Sequence, residues 1–455
     1  MTTGSVELTV SVVAYGSKGD GITDDTRAIQ AAIVDGNKIG AVVFVPAGVY
    51  RVSQLVMMKG TILQGVSSGT YPANNTISGA SVLARLANSN KDLLLAPDGA
   101  NYGRVFDLAI DGNKNNNTTG RGLCVADGAA GQEAQLIVER CYFHDNPDSN
   151  VYLGHNRRAN SVHDCVFNYS LHGDGVTDAG SDNTISTNII GSNARAGICL
   201  GTTATQNWPA SSAAYASAVA HVQNNDIYGN LVGIAVANAS SGCMITGNGI
   251  DRHLYQGITV YSGSSNALIT NTFHSNGTAK DNTYAHIDVG ANVRQVCASN
   301  NNFGPQDAGV TNVASYCVYV SPGATRLVGD LGAVDPTEAH AIANAQAGAA
   351  PWMAVSDIGA VIQGSGNAIL TLRNKSGATV TTVGDDGSLV QPGAVSAGGG
   401  VSVNGFAGAP AGARFVGGTK SGAPTSGSWK AGDFAIDQTG KVWIYTGSAW
   451  VTSHS

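Results

Sequence analysis

Cys141-Tyr142-Phe143, Cys165-Val166-Phe167, Asn188-Ile189-Ile190, Asn225-Asp226-Ile227, Asn248-Gly249-Ile250, Asn271-Thr272-Phe273 and Asn301-Asn302-Phe303 are seven returns of one phrase. The steps between them are 24, 23, 37, 23, 23 and 30 residues. A near-constant period of this size marks a solenoid. After most returns come a polar turn and a short alternating strand: Asn150-Val151-Tyr152-Leu153, Gly197-Ile198-Cys199-Leu200, Gly233-Ile234-Ala235-Val236 and Gly257-Ile258-Thr259-Val260. These segments are too short and too strictly alternating for a helical repeat. Each repeat therefore reads as one coil of an all-β, right-handed parallel β-helix.

A single coil cannot bury its own apolar side, but stacked coils can. Val151, Ile198, Ile234 and Ile258 are expected on one line inside a shared core. Coils repeat at the normal strand spacing of about 4.8 Å, so equivalent residues become ladders. Asn188, Asn225, Asn248 and Asn271 are expected to form one at a tight corner, with Cys141 and Cys165 in the same place in the preceding coils.

Composition agrees with this reading. Only 12% of the 455 residues are charged, 60 are Gly, and the length suits one long solenoid with a smaller domain. The net charge of −7 and the scattered Lys and Arg argue against a nucleic-acid or anionic-membrane binder. The seven Cys show no CxxC or Cys/His metal spacing. They read as buried free thiols, with a stacked Cys141–Cys165 disulfide as the alternative. No metal or cofactor is expected. No apolar run follows Met1, and no stretch is long enough to span a membrane. The expectation is a protein carried on a phage or prophage particle, or one exported by a route without a signal peptide.

Residues 1–54 read as the cap of the solenoid. Val12-Val13-Ala14-Tyr15 suggests a strand, Gly16 to Gly21 a turn, and Thr26 to Ile33 a helix opened by Thr23 or Asp24. Ile29 and Ile33 give that helix an apolar face. It is placed to block the open end of the stack, which is otherwise a bare sheet edge. The run Ala14-Tyr15-Gly16-Ser17-Lys18-Gly19-Asp20-Gly21, then Asp24-Asp25-Thr26 and Ala28-Ile29, then Val45-Pro46-Ala47-Gly48-Val49-Tyr50, resembles the opening of the pectate-lyase-like superfamily. That group includes polysaccharide hydrolases, epimerases and bacteriophage tailspike depolymerases. Ser17 stands where its pattern usually has Ala. The resemblance implies the β-helix fold and activity on a polysaccharide, and it implies capping roles for Asp20, Asp24 and Asp25.

Residues 55–330 are then the β-helix, beginning with irregular coils. Two long steps place loops outside the stack. One holds Trp208 and Tyr215, which suit either stacking on sugar or contact with another subunit. Residues 331–414 read as assembly strands and linker, resembling the trimer-forming segments of phage tail fibres. Residues 415–455 read as a small β-meander turning at Asp437-Gln438-Thr439-Gly440, with Trp429, Trp443 and Trp450 as its core or, alternatively, as sugar-binding faces.

The chemistry is sought in the turns that precede the alternating strands. They read His144-Asp145-Asn146-Pro147-Asp148-Ser149 in one coil, Tyr169-Ser170-Leu171-His172-Gly173-Asp174 in the next, then Asn193-Ala194-Arg195-Ala196. Stacking is expected to bring Asp148 and Asp174 together as the acid and the base or nucleophile of glycoside hydrolysis. Asp178 and Asp145 are the reserve carboxylates. His172, Arg195, Tyr152, Trp208, Arg252 and Tyr255 are candidates for holding substrate. Three readings follow: a hydrolase, an eliminative lyase, or an adhesin that binds glycan without cutting it. A homotrimer is expected for each.

Overall fold

The 23-residue period closes into coils of three strands. One coil holds Ile137–Glu139, Tyr142–His144 and Val151–Leu153, and the next Ser161–His163, Val166–Asn168 and Val176–Asp178. The computed structural model describes residues 8–69, 79–129, 133–202 and 215–304 except 282, shorter stretches between 307 and 403, and residues 413–453. Each strand pairs in parallel with its equivalent in the neighbouring coil. Among the described residues this gives three sheets, A, B and C, of 13, 12 and 11 strands. The chain is a right-handed parallel β-helix, as expected. Trp208 and the rest of residues 203–214 lie outside the described residues.

The register is close to that read from the sequence. Val151, Val176, Ile198, Ile234 and Ile258 are successive partners on sheet C, and all are fully buried. Sheet B sends Phe143, Phe167, Ile190, Ile227, Ile250 and Phe273 into the same core. Each such side chain contributes about 1.5–3 kcal/mol of apolar transfer. Ile189 pairs with Asp226 across the 37-residue step, so that insertion leaves the stack without disturbing it.

The corner between sheets A and B is one residue with a left-handed backbone, such as Asn224 at φ 55°, followed by the ladder residue. Asn188 N donates to Asn225 Oδ1 at 3.0 Å, Asn225 N to Asn248 Oδ1 at 3.0 Å, Asn248 N to Asn271 Oδ1 at 3.1 Å, and Asn271 N to Asn301 Oδ1 at 2.9 Å. Cys165 N opens the ladder on Asn188 Oδ1 at 2.9 Å. Cys141 N faces the Cys165 sulfur at 3.4 Å. All seven cysteines are free thiols. A second ladder between sheets B and C runs through Ser170, Asn193, Asn230, His253 and Asn276.

The cap differs in detail from the sequence reading. The strand is Thr9–Ser11, and Val12–Tyr15 is a turn of 3-10 helix. Helix α1 spans Thr26–Ile39 and buries Ile29, Ala32, Ile33 and Gly36. Asp25, not Thr23 or Asp24, occupies its N-cap position. The Asp25 carboxylate turns away to accept from Lys18 N and Gly19 N, and Asp24 accepts from Thr26 N at 2.9 Å. Gln30 meets the first strand of sheet C through Val56, giving and taking hydrogen bonds of 3.0 and 2.8 Å. That blocks part of an edge that would otherwise be open to another strand.

Parallel pairing continues past residue 330, to Ile342–Asn344 on sheet C and Trp352–Met353 on sheet A. Residues 335–341, within the stretch read as assembly strands and linker, lie outside the described residues. The chain divides into two units at Ala378 and Thr379. In the second, Ala413–Thr419, Phe434–Asp437, Val442–Tyr445 and Trp450–Thr452 build a small sheet. Its turn at Asp437 forms as read. The Asp437 carboxylate accepts from Thr439 Oγ1, Lys441 N and Trp443 Nε1. The Thr439 hydroxyl and the other donors hold it well below the usual carboxylate range. Trp429 meets Trp450 edge to face at 5.4 Å.

Candidate active site

Asp148 and Asp174 do not stack as a pair. Val151 pairs with Val176, so the turn of the second coil holds one residue more than the step from Cys141 to Cys165 implies. Asp174 therefore falls beside Ser149, whose Oγ accepts from Asp174 N at 3.1 Å. Gly173 lies against Asp148, where an added Cβ would come within 2.3 Å of the Asp148 carbonyl carbon. The two carboxylates also turn in opposite directions along the stack. Asp174 is fully buried and accepts from Ala196 N of the following coil at 3.0 Å and from Thr177 Oγ1 at 2.7 Å. Arg195 Nε lies 3.5 Å from it. Asp148 reaches back to the preceding coil and accepts from Gly120 N at 2.7 Å.

Asp178 points into the solenoid between Leu153 and Leu200. It accepts from Gly180 N, Asn183 Nδ2 and Ser217 Oγ at 2.8–2.9 Å. Burial raises its pKa, and no outer surface is open to it. Asp145 lies at the outer corner of sheet B, 2.7 Å from His144 Nδ1 and 2.9 Å from Lys114 Nζ. Asp111, His144 and Asp145 bring ligand-type atoms within 4.8 Å of one another. The Lys114 ammonium already supplies the local positive charge.

What Asp148 does join is a polar cleft of about 310 Å³, lined by Gln54, Asn90, Lys91, Asp92, Thr119, Gly120, Arg121 and Asp148. Asp92 accepts from Arg121 N at 2.8 Å. Asp92 and Asp148 thus sit on the amides of consecutive residues, Arg121 and Gly120. Adjacent α-carbons are about 3.8 Å apart, which keeps the bonded oxygens within about 9 Å of each other. Both side chains are only partly buried. Asp92 and Arg121 are absent from the sequence reading because the early coils lack the repeated phrase. One signal was available: an acidic residue recurs two or three places before the sheet C strand, at Asp92, Asp148 and Asp174.

The cleft borders the outer face of sheet C through Arg121, whose guanidinium lies 4.1 Å from the Tyr152 ring centre. Tyr152 is only 5% exposed and donates its hydroxyl to Asp127 at 2.8 Å. Burial and the Asp127 carboxylate raise its pKa, so the phenol keeps its proton. His155 stacks on Tyr215 at 4.0 Å next to it. His172 is exposed, its amide held by Pro147 O, and it is not among the residues that line the cleft. Tyr255 stacks on Tyr284 at 4.8 Å. It stands four coils beyond Asp148, roughly 19 Å along the stack at normal strand spacing.

Arg252 belongs to another group, at the outer corner of sheet B. It pairs with Asp307 at 2.8 Å and lies 3.5 Å from Asp251. Burial and Asp307 push Asp251 up to about 6. A carboxyl whose folded value exceeds its unfolded one contributes stability fully below about pH 4, and loses it as pH rises through 6. Asp251→Asn should therefore leave urea unfolding unchanged at pH 4. At pH 7.5 it should add about 1 kcal/mol, solvent screening having reduced the full linkage value. Equal effects at both pH values would refute the assignment.

Residues 9–205 match the family described as rhamnogalacturonase A/epimerase, pectate lyase-like. That match covers the cap and the first coils, less than half of the chain, and marks them as similar to that family. The chain is 30% identical over 179 residues to the pre-neck appendage protein of Bacillus phage phi29, covering 38% of this chain and 17% of that protein. In structure it is similar to the enzymatically active domain of tailspike protein 2 of bacteriophage CBA120, with a TM-score of 0.55 at 14% identity over 74% of this chain and 52% of that one. It is also similar to the A-module of the mannuronan C-5 epimerase AlgE4 of Azotobacter vinelandii, with a TM-score of 0.54 at 17% identity over 73% of this chain and 95% of that one. The chain spans no more than 17% of the length of the curated relatives it matches.

Proposed function

We propose that this protein is the polysaccharide-cleaving β-helix of a phage tail appendage, and that it hydrolyses glycosidic bonds with Asp92 and Asp148. The observation that carries this reading is the cleft in which those two carboxylates are held by consecutive amides. The upper limit of about 9 Å on their spacing admits the separation of retaining glycosidases, about 5–5.5 Å, and most of the inverting range, about 6.5–9.5 Å. A sugar ring laid over the cleft excludes water and raises the pKa of whichever carboxyl it covers. That carboxyl protonates the leaving oxygen. The other attacks the anomeric carbon or takes a proton from the attacking water. Lys91, Gln54 and Asn90 line the same cleft as donors to sugar hydroxyls or a sugar carboxylate. The likeness to a phage appendage and a tailspike supports a glycan as substrate and the virion as location. The homotrimer is part of the same proposal, and light scattering on the purified protein tests it.

A second reading, eliminative cleavage, draws on the Arg121–Tyr152–Asp127 group. Incubation with a panel of bacterial surface and plant polysaccharides separates the readings. New reducing ends without absorbance of an unsaturated uronate support hydrolysis, and that absorbance supports elimination. Binding with neither product leaves an adhesin and rejects the proposal. Tyr152→Phe sharpens the choice. Hydrolysis by the carboxylates should persist, whereas an elimination that uses the phenol as its acid or base should fall about 10²–10⁴-fold.

A further inference from the structure

Arg85 ends the sheet B strand Ser81–Arg85 and is fully buried beneath the cleft. Its Nη1 donates to Gly120 O at 3.1 Å and Thr119 O at 3.4 Å. Its Nη2 donates to Arg121 O at 2.5 Å and Asn146 Oδ1 at 3.1 Å. The Thr119 carbonyl shares a peptide plane with Gly120 N–H, and the Gly120 carbonyl shares one with Arg121 N–H. Those are the two N–H groups that hold Asp148 and Asp92. The guanidinium and the two carboxylates therefore sit at opposite ends of the same two peptide dipoles.

From this geometry we infer that Arg85 is a positioning residue for the carboxylate pair: it fixes the 119–121 turn and sends its charge through those peptides to Asp92 and Asp148. The inference rests on the proposed hydrolytic role of the pair.

Three observations support it. A cation on a carbonyl oxygen polarises the peptide and strengthens the N–H at its other end. Gly120 has φ 108°, and an added Cβ would lie 2.3 Å from Lys91 O and 3.1 Å from Arg85 Nη1, so the turn approaches the guanidinium closely. Burial pushes Arg85 down to about 10, opposed by Asp92, Asp148 and Asp111, so its charge is balanced by carboxylates around the cleft. Burying a cation without direct carboxylate contact is costly, and a residue that only filled space would not need the charge.

The test is a titration of Asp92 and Asp148 in protein carrying 13C at the aspartate carboxyls, which requires no substrate. Arg85→Met should raise both titration midpoints by about one unit. Arg85→Lys keeps the charge but not the fork. It should leave the midpoints in place while glycan cleavage falls roughly tenfold through the loosened turn. A folded Arg85→Met protein with wild-type midpoints would overturn the inference. If Arg85→Met does not fold, Arg85→Lys decides: wild-type cleavage in that variant rejects the positioning role. Wild-type protein that cleaves no glycan defeats the hydrolase reading alone, because the titration stands without it.

Discussion

Asp148→Asn should cut glycan cleavage by about 10³-fold, or about 4 kcal/mol of transition-state stabilisation, and leave the unfolding midpoint unchanged. The carboxamide has the same shape, and its oxygen can still accept from Gly120 N, which Asp148 does at 2.7 Å. What it loses is the charge or the transferable proton. Asp92→Asn should behave alike, since Asp92 stands on the next amide. Asp174→Asn is the contrasting case. Its oxygens are taken by Ala196 N and Thr177 Oγ1 inside a sealed turn, so the change should lower stability and spare the chemistry. The measurement is initial reducing-end release at matched protein concentration, with circular dichroism to confirm folding. Full activity in Asp148→Asn sinks the pair. Loss of activity in a well-folded Asp174→Asn would return the chemistry to the neighbouring coil.

Asn225→Ala should destabilise the solenoid by about 3 kcal/mol or more. Asn225 Oδ1 accepts from Asn188 N and Asn188 Nδ2, both at 3.0 Å. Its Nδ2 donates to Asn248 Oδ1 and Ile185 O, both at 2.9 Å. The site is 2% exposed, so water cannot replace these partners. Alanine would leave the Asn188 amide N–H and one of its two Nδ2 hydrogens without acceptors, the other still donating to Val162 O at 3.0 Å, and each buried orphan costs about 1–3 kcal/mol. Asp226→Ala, one residue along and exposed, should stay within about 0.5 kcal/mol. Denaturant unfolding of the two variants makes the comparison, and similar midpoints would deny the ladder its role.

The period of the Asn ladder was legible because one residue type must recur wherever its amide bonds to its own kind in the next coil. The Val151–Ile258 line was legible because alternation survives in every coil. The site was less so. One extra residue in the turn around His172 and Gly173 shifts Asp174 from Asp148 to Ser149, and the repeat fixes strands, not turn lengths. Asp178 occupies an inward position that elsewhere holds Leu153 or Leu200. Its burial depends on three local donors that have no shared sequence pattern. Asp92 and Arg121 lie in coils without the repeated phrase, and only the register of sheet C reveals that they meet Asp148.

The constant step from coil to coil also governs how the chain can be made. Asn225 meets Asn248, and Asn248 meets Asn271, each only 23 residues away. Most partners are this close wherever they lie in the chain, so the entropy of closing each loop does not grow with total length. Each finished coil presents a paired edge to the next segment, and helix α1 precedes the coils in the chain. The fold can therefore extend coil by coil behind the ribosome, without waiting for the C-terminus.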